Sequence, residues 1–398
     1  MDLHWLKPLL GRPSPFTTVY LDATRIGANA DAEAVDRWRA VRRTLERDGA
    51  PAGVLDRIGE VVSVPTGVRT PHGRVVVADA NDVVIDRVLS EPPAQSYAVV
   101  GPAPALLPAV RAADETVDYL LVEVDRNGAD LTWMTGGAGR VEGGPETETV
   151  DGGHDDVHKT RESGLARRGQ TRAEDSWERN AEAVAAVLDK RVSERSPDLV
   201  LVTGDVRAIA LLREAVGQQA RELLVDVPGG GRGDGLHQAS FEAHVDEALT
   251  AFRRRRCEAV LDRFREAQGR GDGAVTALED VIDVLRRGQV AELVLHVDAL
   301  TSGLAERTLW VGPEPLQVAT SQDDLAAIGV VDGAAEMDAN VALVRAALGQ
   351  DAGLTFAEDG AVDLVDGIGA VLRWFDESTP SEAVPSQSAD QARLRTVV

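Results

Sequence analysis

Apolar residues recur along this chain with two periods, and the changes between them mark out successive folded stretches. Residues 16–23 (FTTVYLDA) form a β-branched, apolar run that predicts a strand. Over residues 32–47, Val35, Trp38, Val41, Arg42 and Leu45 fall near one face, the spacing of a helix. Residues 73–80 (GRVVVADA) and 82–89 (DVVIDRVL) read as two strands joined at Asn81, a hairpin. The proline- and alanine-rich stretch 92–108 predicts a loop followed by a short helix.

A second pattern starts near Val117. Residues 119–124 (YLLVEV) predict a strand, and Asn127-Gly128 turns the chain into 129–134, a meander that ends in the glycine-rich run 136–153. Further on, Trp177, Ala181, Val184 and Leu188 recur at helical spacing. A buried strand at 199–202, a helix at 208–216 and a strand at 223–227 follow, an order that implies a mostly parallel, helix-covered sheet. The glycine-rich stretch 229–235 (GGGRGDG) opens a long helix with Phe241, Val245, Leu249, Phe252, Val260 and Phe264 on its buried face. After 269–273 the pattern predicts a helix through Val275, Leu278, Ile282 and Leu285. Strands at 293–297 and 308–311, a helix at 338–348 and a closing strand at 369–374 complete it. The class is therefore α/β, with three domains at 1–116, 117–271 and 272–376 and a polar tail at 377–398 that reads as disordered.

Charge changes the picture. Among 398 residues, 66 are acidic and 42 are Lys or Arg, for a net charge of −24, so phosphates would repel most of the surface. Against this background residues 158–172 (HKTRESGLARRGQTR) set Lys159, Arg161, Arg167, Arg168 and Arg172 against a single acid, Glu162. The segment has no apolar periodicity and a helix pattern directly behind it. A basic loop on an acidic body is suited to entering a crowded polyphosphate environment, which points to local RNA contact rather than general duplex binding. Gly169 and Gln170 at its tip permit close backbone approach and two-way hydrogen bonding.

Other chemistry is sparsely supported. No GxGxxG, Walker A or nucleophile-elbow pattern occurs. His154 and His158 lie four apart, but flanking glycines and the lack of a third ligand argue against a metal site, and no cofactor is expected. The single cysteine, Cys257, excludes a disulfide framework and sits on the apolar face of a helix. The run Arg253–Arg256 must wrap its helix, with Arg254 and Glu258 spaced to pair as a solvated face. The amino terminus lacks a signal-peptide pattern and no apolar run is long enough to span a bilayer, so a cytoplasmic protein without membrane association is expected.

Residues 164–191 (GLARRGQTRAEDSWERNAEAVAAVLDKR) resemble the central domain of archaeo-eukaryotic peptide-release factors, where a glycine–glycine–glutamine loop precedes a long helix. Residues 229–235, the helix through Phe264 and GAVTALEDVIDVLRRGQVAELVLHVDAL at 273–300 are similar to the junction of the central and third domains of release factor and pelota proteins. GIGAVLRW at 367–374 is similar to the end of that third domain. The resemblance is to the bacterial branch of this superfamily, including Balon-like ribosome hibernation factors.

The resemblance implies a divergent N-terminal α/β domain, an RNase-H-like middle and a ribosomal-protein-like third domain. It implies a monomer that occupies the ribosomal A site and meets 23S and 16S rRNA, without DNA. The segment with His158, Lys159, Arg161, Arg167, Arg168, Gly169, Gln170 and Arg172 would lie near the peptidyl transferase centre, and elongation factor Tu is an implied partner. The family's glycine–glycine–glutamine tip stands here as Arg168-Gly169-Gln170. Arginine lacks the backbone freedom of glycine, so the expected role is a non-enzymatic hibernation factor that inhibits translation. The alternative is a release or rescue factor that hydrolyses peptidyl-tRNA with Gln170 placing water. A metal-dependent nuclease using Glu123 and Asp125 is a third, weaker reading.

Overall fold

The computed structural model describes residues 3–25, 30–68, 71–136, 146–151, 166–232 and 238–380, with backbone only at 4, 30–31, 135–136, 166–175 and 238. The chain folds as two compact units, one drawn from residues up to 115 and from 254 onward, the other from 116–136 and 143–253.

The amino-terminal part of the first unit contains β1 (Phe16–Asp22), α1 (Ala30–Arg47), α2 (Ala52–Ser63), β2 (Gly73–Ala78), β3 (Val83–Leu89), β4 (Tyr97–Gly101) and α3 (Leu107–Asp114). Its antiparallel sheet runs β3-β2-β1-β4, with Val19 opposite Val76 and Tyr20 opposite Val75. Side chains alternate across a strand, so Val19, Leu21, Val76 and Ala78 meet Trp38, Val41, Leu45, Leu55 and Ile58 of the two helices. Tyr20, Val75 and Val77 enter a different core on the other face. Both faces are covered, which is why these strands read as nearly continuous apolar runs.

The second unit holds β5 (Val117–Val124), β6 (Gly128–Gly136), β7 (Glu146–Asp151), α4 (Ala166–Arg195), β8 (Leu199–Gly204), α5 (Val206–Ala215), α6 (Gln218–Leu223) and β9 (Leu224–Asp226). It also takes the first half of α7 (Gln238–Arg270). The sheet order is β7-β6-β5-β8-β9, with β5, β6 and β7 antiparallel and β5, β8 and β9 parallel. This is the RNase-H-like arrangement expected for the middle region. One face packs Leu120, Val122, Val200 and Val202 against Val184, Leu188 and Leu212 of α4 and α5. The other packs Tyr119, Leu199 and Leu201 against Val245 and Leu249 of α7.

The rest of the first unit adds β10 (Ala274–Thr276), α8 (Leu278–Arg286), β11 (Val290–His296), β12 (Thr308–Val311), β13 (Val318–Ala319), α9 (Gln322–Ala327), β14 (Ala335–Asp338), α10 (Ala339–Gly349), β15 (Gly353–Ala357) and β16 (Ile368–Leu372). The sheets are β10-β16-β11-β15 and β13-β12-β14. Val281, Leu285, Leu293, Leu343 and Leu354 join Leu6, Tyr20, Val75, Val77 and Val110 in one apolar core. This unit is therefore stapled together by residues from both ends of the sequence.

Two differences from the sequence reading bear on the site. The glycine-rich run 136–153 contains a strand, β7, whose alternating Thr and Glu residues gave no apolar signal. Helix α4 begins at Ala166, so residues 166–172, read as loop, have helical backbone. Ala, Arg and Gln are strong helix formers, and one glycine costs only about 1 kcal/mol in a helix.

Candidate functional site

His158, Lys159 and Arg161 lie outside the described residues, as do His154 and His237. Arg167, Arg168, Gly169, Gln170 and Arg172 fall on the first turns of α4. The described geometry nearest to them belongs to the body of that helix and the sheet edge beside it.

Three segments converge at the carboxyl ends of β5 and β8. Asp125-Arg126-Asn127 forms the turn between β5 and β6, because the Asp125 carboxylate accepts from the amides of Asn127 (2.7 Å) and Gly128 (3.0 Å). Asp205 caps α5 by accepting from the amides of Arg207 (2.9 Å) and Ala208 (3.2 Å). Gly204, at φ +128°, lets the chain leave β8 tightly against β5, where a Cβ would strike the Val124 carbonyl. These turns bring Arg126 and Arg207 over the Trp177 ring of α4, their guanidinium carbons 5.7 and 4.8 Å from its centroid. Asn180, one helical turn on, donates from Nδ2 to the Arg126 carbonyl at 2.9 Å and so fixes the turn to the helix. Both arginines are exposed, and Val206 beside them is 83% exposed.

A second cluster sits at the same edge. Arg232 donates from Nη1 to Asp125 (3.1 Å) and from Nε and Nη2 to Asp130 (3.0 and 3.3 Å), with Asp151 at 3.8 Å. It is only 17% exposed. Burial alone would raise the Asp130 carboxyl, yet hydrogen bonds from Arg232 and Thr149 and the guanidinium charge hold it below the usual carboxylate range. Glu123 moves the other way: burial, reinforced by the charge on Asp130, raises it. The loop carrying Arg232 is seated by Gly230, whose amide donates to Thr203 Oγ1 at 3.0 Å. A Cβ on Gly230 would press into Thr203 and Phe241.

This arrangement bears on the nuclease reading. Asp125 is committed to a guanidinium and two amides, and Asp130 to the same guanidinium. Among the described residues no group of three His, Cys, Asp or Glu side chains has metal-binding geometry. The donor set is built around an internal cation.

Elsewhere, Glu258 pairs with Arg265 at 2.8 Å and not with Arg254 as its spacing suggested, because Arg265 also meets Asp262 (2.7 Å) and the Ala361 carbonyl (2.9 Å) on that side of α7. Arg256 turns to Asp114. Cys257 is half-buried, packs with Val260 and Phe264, and its thiol is pushed up by burial, as suits an inert position. His244 Nδ1 lies 3.1 Å from the Pro228 carbonyl. No helix among the described residues is long and apolar enough to cross a membrane.

Sequence reasoning placed Trp177 on the buried face of a helix and passed over Arg126, Arg207 and Arg232. The available signals were local: a polar Asp-Arg-Asn-Gly turn after one strand, and Thr-Gly-Asp after another with an arginine two residues on.

Residues 118–270, nearly the whole span of β5 to α7, match the model of bacterial archaeo-eukaryotic release factor family 2. Over 376 residues the chain is 28% identical to the uncharacterized protein Rv2629 of Mycobacterium tuberculosis strain H37Rv, covering 94% of this chain and 96% of that one. Solved structures with lower likeness include S. cerevisiae Dom34, a translation termination-like factor (10% identity, 76% of this chain and 81% of that one, TM-score 0.39). Another is an archaeal translation termination factor (15% identity, 93% and 96%, TM-score 0.22). Residues 118–270 are thus the part of the chain that is similar to bacterial archaeo-eukaryotic release factor family 2.

Proposed function

We propose that this chain is a ribosome-binding translation factor that enters the vacant A site and inhibits translation, as hibernation factors do. The observation that carries the reading is one juxtaposition within the matched segment. An RNase-H-like domain carries, at the head of α4, a strongly basic sequence in a chain with net charge −24. Arg167, Arg168 and Arg172, with His158, Lys159 and Arg161 before them, supply cations for rRNA phosphates near the peptidyl transferase centre. Arg168 stands where the family's tip has glycine, which favours occupancy over hydrolysis. Association with elongation factor Tu belongs to the same proposal, as does kinship with Balon-like factors.

The test is co-sedimentation with purified ribosomes across a salt series. Binding should weaken steeply with salt, because released counterions drive such contacts, and Arg167→Glu with Arg168→Glu should abolish it. Undiminished pelleting of that variant would sink the role of the segment. Peptide release from stalled ribosomes that disappears in Gln170→Ala would instead establish the hydrolytic alternative.

A further inference from the structure

We propose that a cavity in the first unit, walled by its amino-terminal segment, the turn after β12 and helix α10, binds a small monocarboxylate with an apolar body. The inference goes beyond the ribosomal reading and does not depend on it. Three observations carry it.

First, the cavity has the size and lining of a small-molecule site. It measures about 370 Å³, within the range of ligand pockets, and holds the volume of about a dozen water molecules. Leu10, Phe16, Leu106, Met337, Val341 and Leu348 line it, so an apolar body entering it removes apolar wall from water. Among the described residues its polar side chains are Arg12, Ser14, Glu314 and Arg345.

Second, Arg345 on α10 is a cation short of a counter-charge. Its Nη2 donates to the carbonyls of Gly312 (3.0 Å) and Pro313 (2.5 Å), while its Nη1 is buried with no hydrogen-bond partner. Among the described residues the acid whose charge acts on it is Glu314, which is exposed and makes no ion pair with it. Burial pushes the guanidinium below the ordinary arginine range. A carboxylate in the cavity relieves this costly state twice, as counter-charge and as acceptor. Arg12, on the same lining, is already held by Asp79 at 3.3 Å, so a single negative charge completes the site.

Third, the anchor is fixed before a ligand arrives. Gln317 ties the Gly312-Pro313-Glu314 turn: its carbonyl accepts from the Gly312 amide at 2.9 Å, and its Oε1 accepts from the Glu314 amide at 3.0 Å. The two carbonyls that orient Arg345 are therefore held in place, and less rotamer freedom is lost on binding.

The probe is decanoate, a straight-chain monocarboxylate about as large as the cavity, titrated calorimetrically into the full chain near neutral pH. Saturable binding of one decanoate per chain is expected. Decanol has the same body without the charge and should bind roughly tenfold more weakly or worse, as should decanoate to Arg345→Gln, each pair lacking a charge-assisted hydrogen bond. Val341→Phe narrows the cavity and should abolish binding while leaving Arg345 in place. Arg345→Gln also frees two turn carbonyls, so Glu314→Gln guards against a variant that merely folds poorly. It removes an exposed opposing charge and should tighten decanoate by about two- to fivefold, a gain that misfolding does not produce. Three results each overturn the inference: no saturable binding to the native chain, decanol as tight as decanoate, or an affinity that both Arg345→Gln and Glu314→Gln leave unchanged.

Discussion

Removing Arg232 should weaken the middle unit by an amount that depends on pH. In Arg232→Ala the carboxylates of Asp125 and Asp130 lose the guanidinium they share, with Glu123 close behind them. Breaking a fully buried ion pair costs about 3–5 kcal/mol, whereas an exposed pair contributes at most about 1. Here the cation is 17% exposed and its two main partners 33% and 27%, so solvent screens part of the loss and about 2 kcal/mol is expected at neutral pH. For a unit of about 130 residues that corresponds to a fall of roughly 6–10 °C in Tm. The sign with pH follows from Asp130. Its folded-state pKa is depressed, so the stability it contributes is present above the ordinary carboxylate range and lost as pH falls through the lowered value. Without Arg232 burial is opposed only by the Thr149 hydrogen bond, the pKa rises, and protonation relieves the variant. The gap between native and variant Tm should therefore be widest near pH 7 and close as pH approaches the carboxylate range. Differential scanning calorimetry, with the two units' transitions treated separately, reads both quantities. A loss under about 0.5 kcal/mol, or a gap that does not vary with pH, would refute the picture of an internal cation holding this edge together.

Three further outcomes follow from the packing. Gly204→Ala places a side chain on a backbone at φ +128° and against the Val124 carbonyl, so urea denaturation should show a loss of about 3 kcal/mol or more in the middle unit. Arg74 is 3% exposed and meets Asp86 through Nε and Nη2 at 2.6 and 2.7 Å and the Val64 carbonyl at 2.8 Å. Arg74→Ala should cost about 3 kcal/mol in the other unit, read by its thermal transition, and Asp86→Ala at least as much, because it leaves the buried guanidinium without its counter-charge. The Tyr20 hydroxyl donates to the Ala105 carbonyl at 2.8 Å and accepts from the Ala109 amide at 3.3 Å. Burial raises its phenol far above the ordinary range, so Tyr20→Phe should lower stability by about 1 kcal/mol with no pH dependence up to the alkaline unfolding limit.

How much of this was legible in the sequence depended on whether the signal was local. The runs FTTVYLDA, GRVVVADA and YLLVEV gave β1, β2 and β5, because strands buried on both faces must be apolar along their length. Strand β7 (ETETVD) was missed since it lies at the sheet edge with its side chains mostly in solvent. Strand β4 (YAVVG) was hidden by the prolines around it. Helix α2 carries a usable signal in Val54, Leu55 and Ile58, masked by the neighbouring glycines and prolines. At the site, the basic segment was visible as a density of charge in consecutive residues. The Arg126–Trp177–Arg207 group was not, because its members come from a turn, a helix body and a helix start that only the sheet order brings together. Pair spacing likewise misassigned Glu258, since a single helix face offers it more than one cation.

The core that joins Leu6, Tyr20 and Val75 to Leu293, Leu343 and Leu354 has a consequence for biogenesis. A nascent chain emerging in order exposes its amino-terminal sheet long before the strands that cover one of its faces have been made, while the intervening unit already holds everything it needs to close. Co-translational folding should then proceed from the inside of the sequence outward, and the opening third must wait, sticky and chaperone-dependent, until synthesis is nearly done. A polypeptide truncated before residue 273 should accordingly yield aggregates seeded by that uncovered sheet.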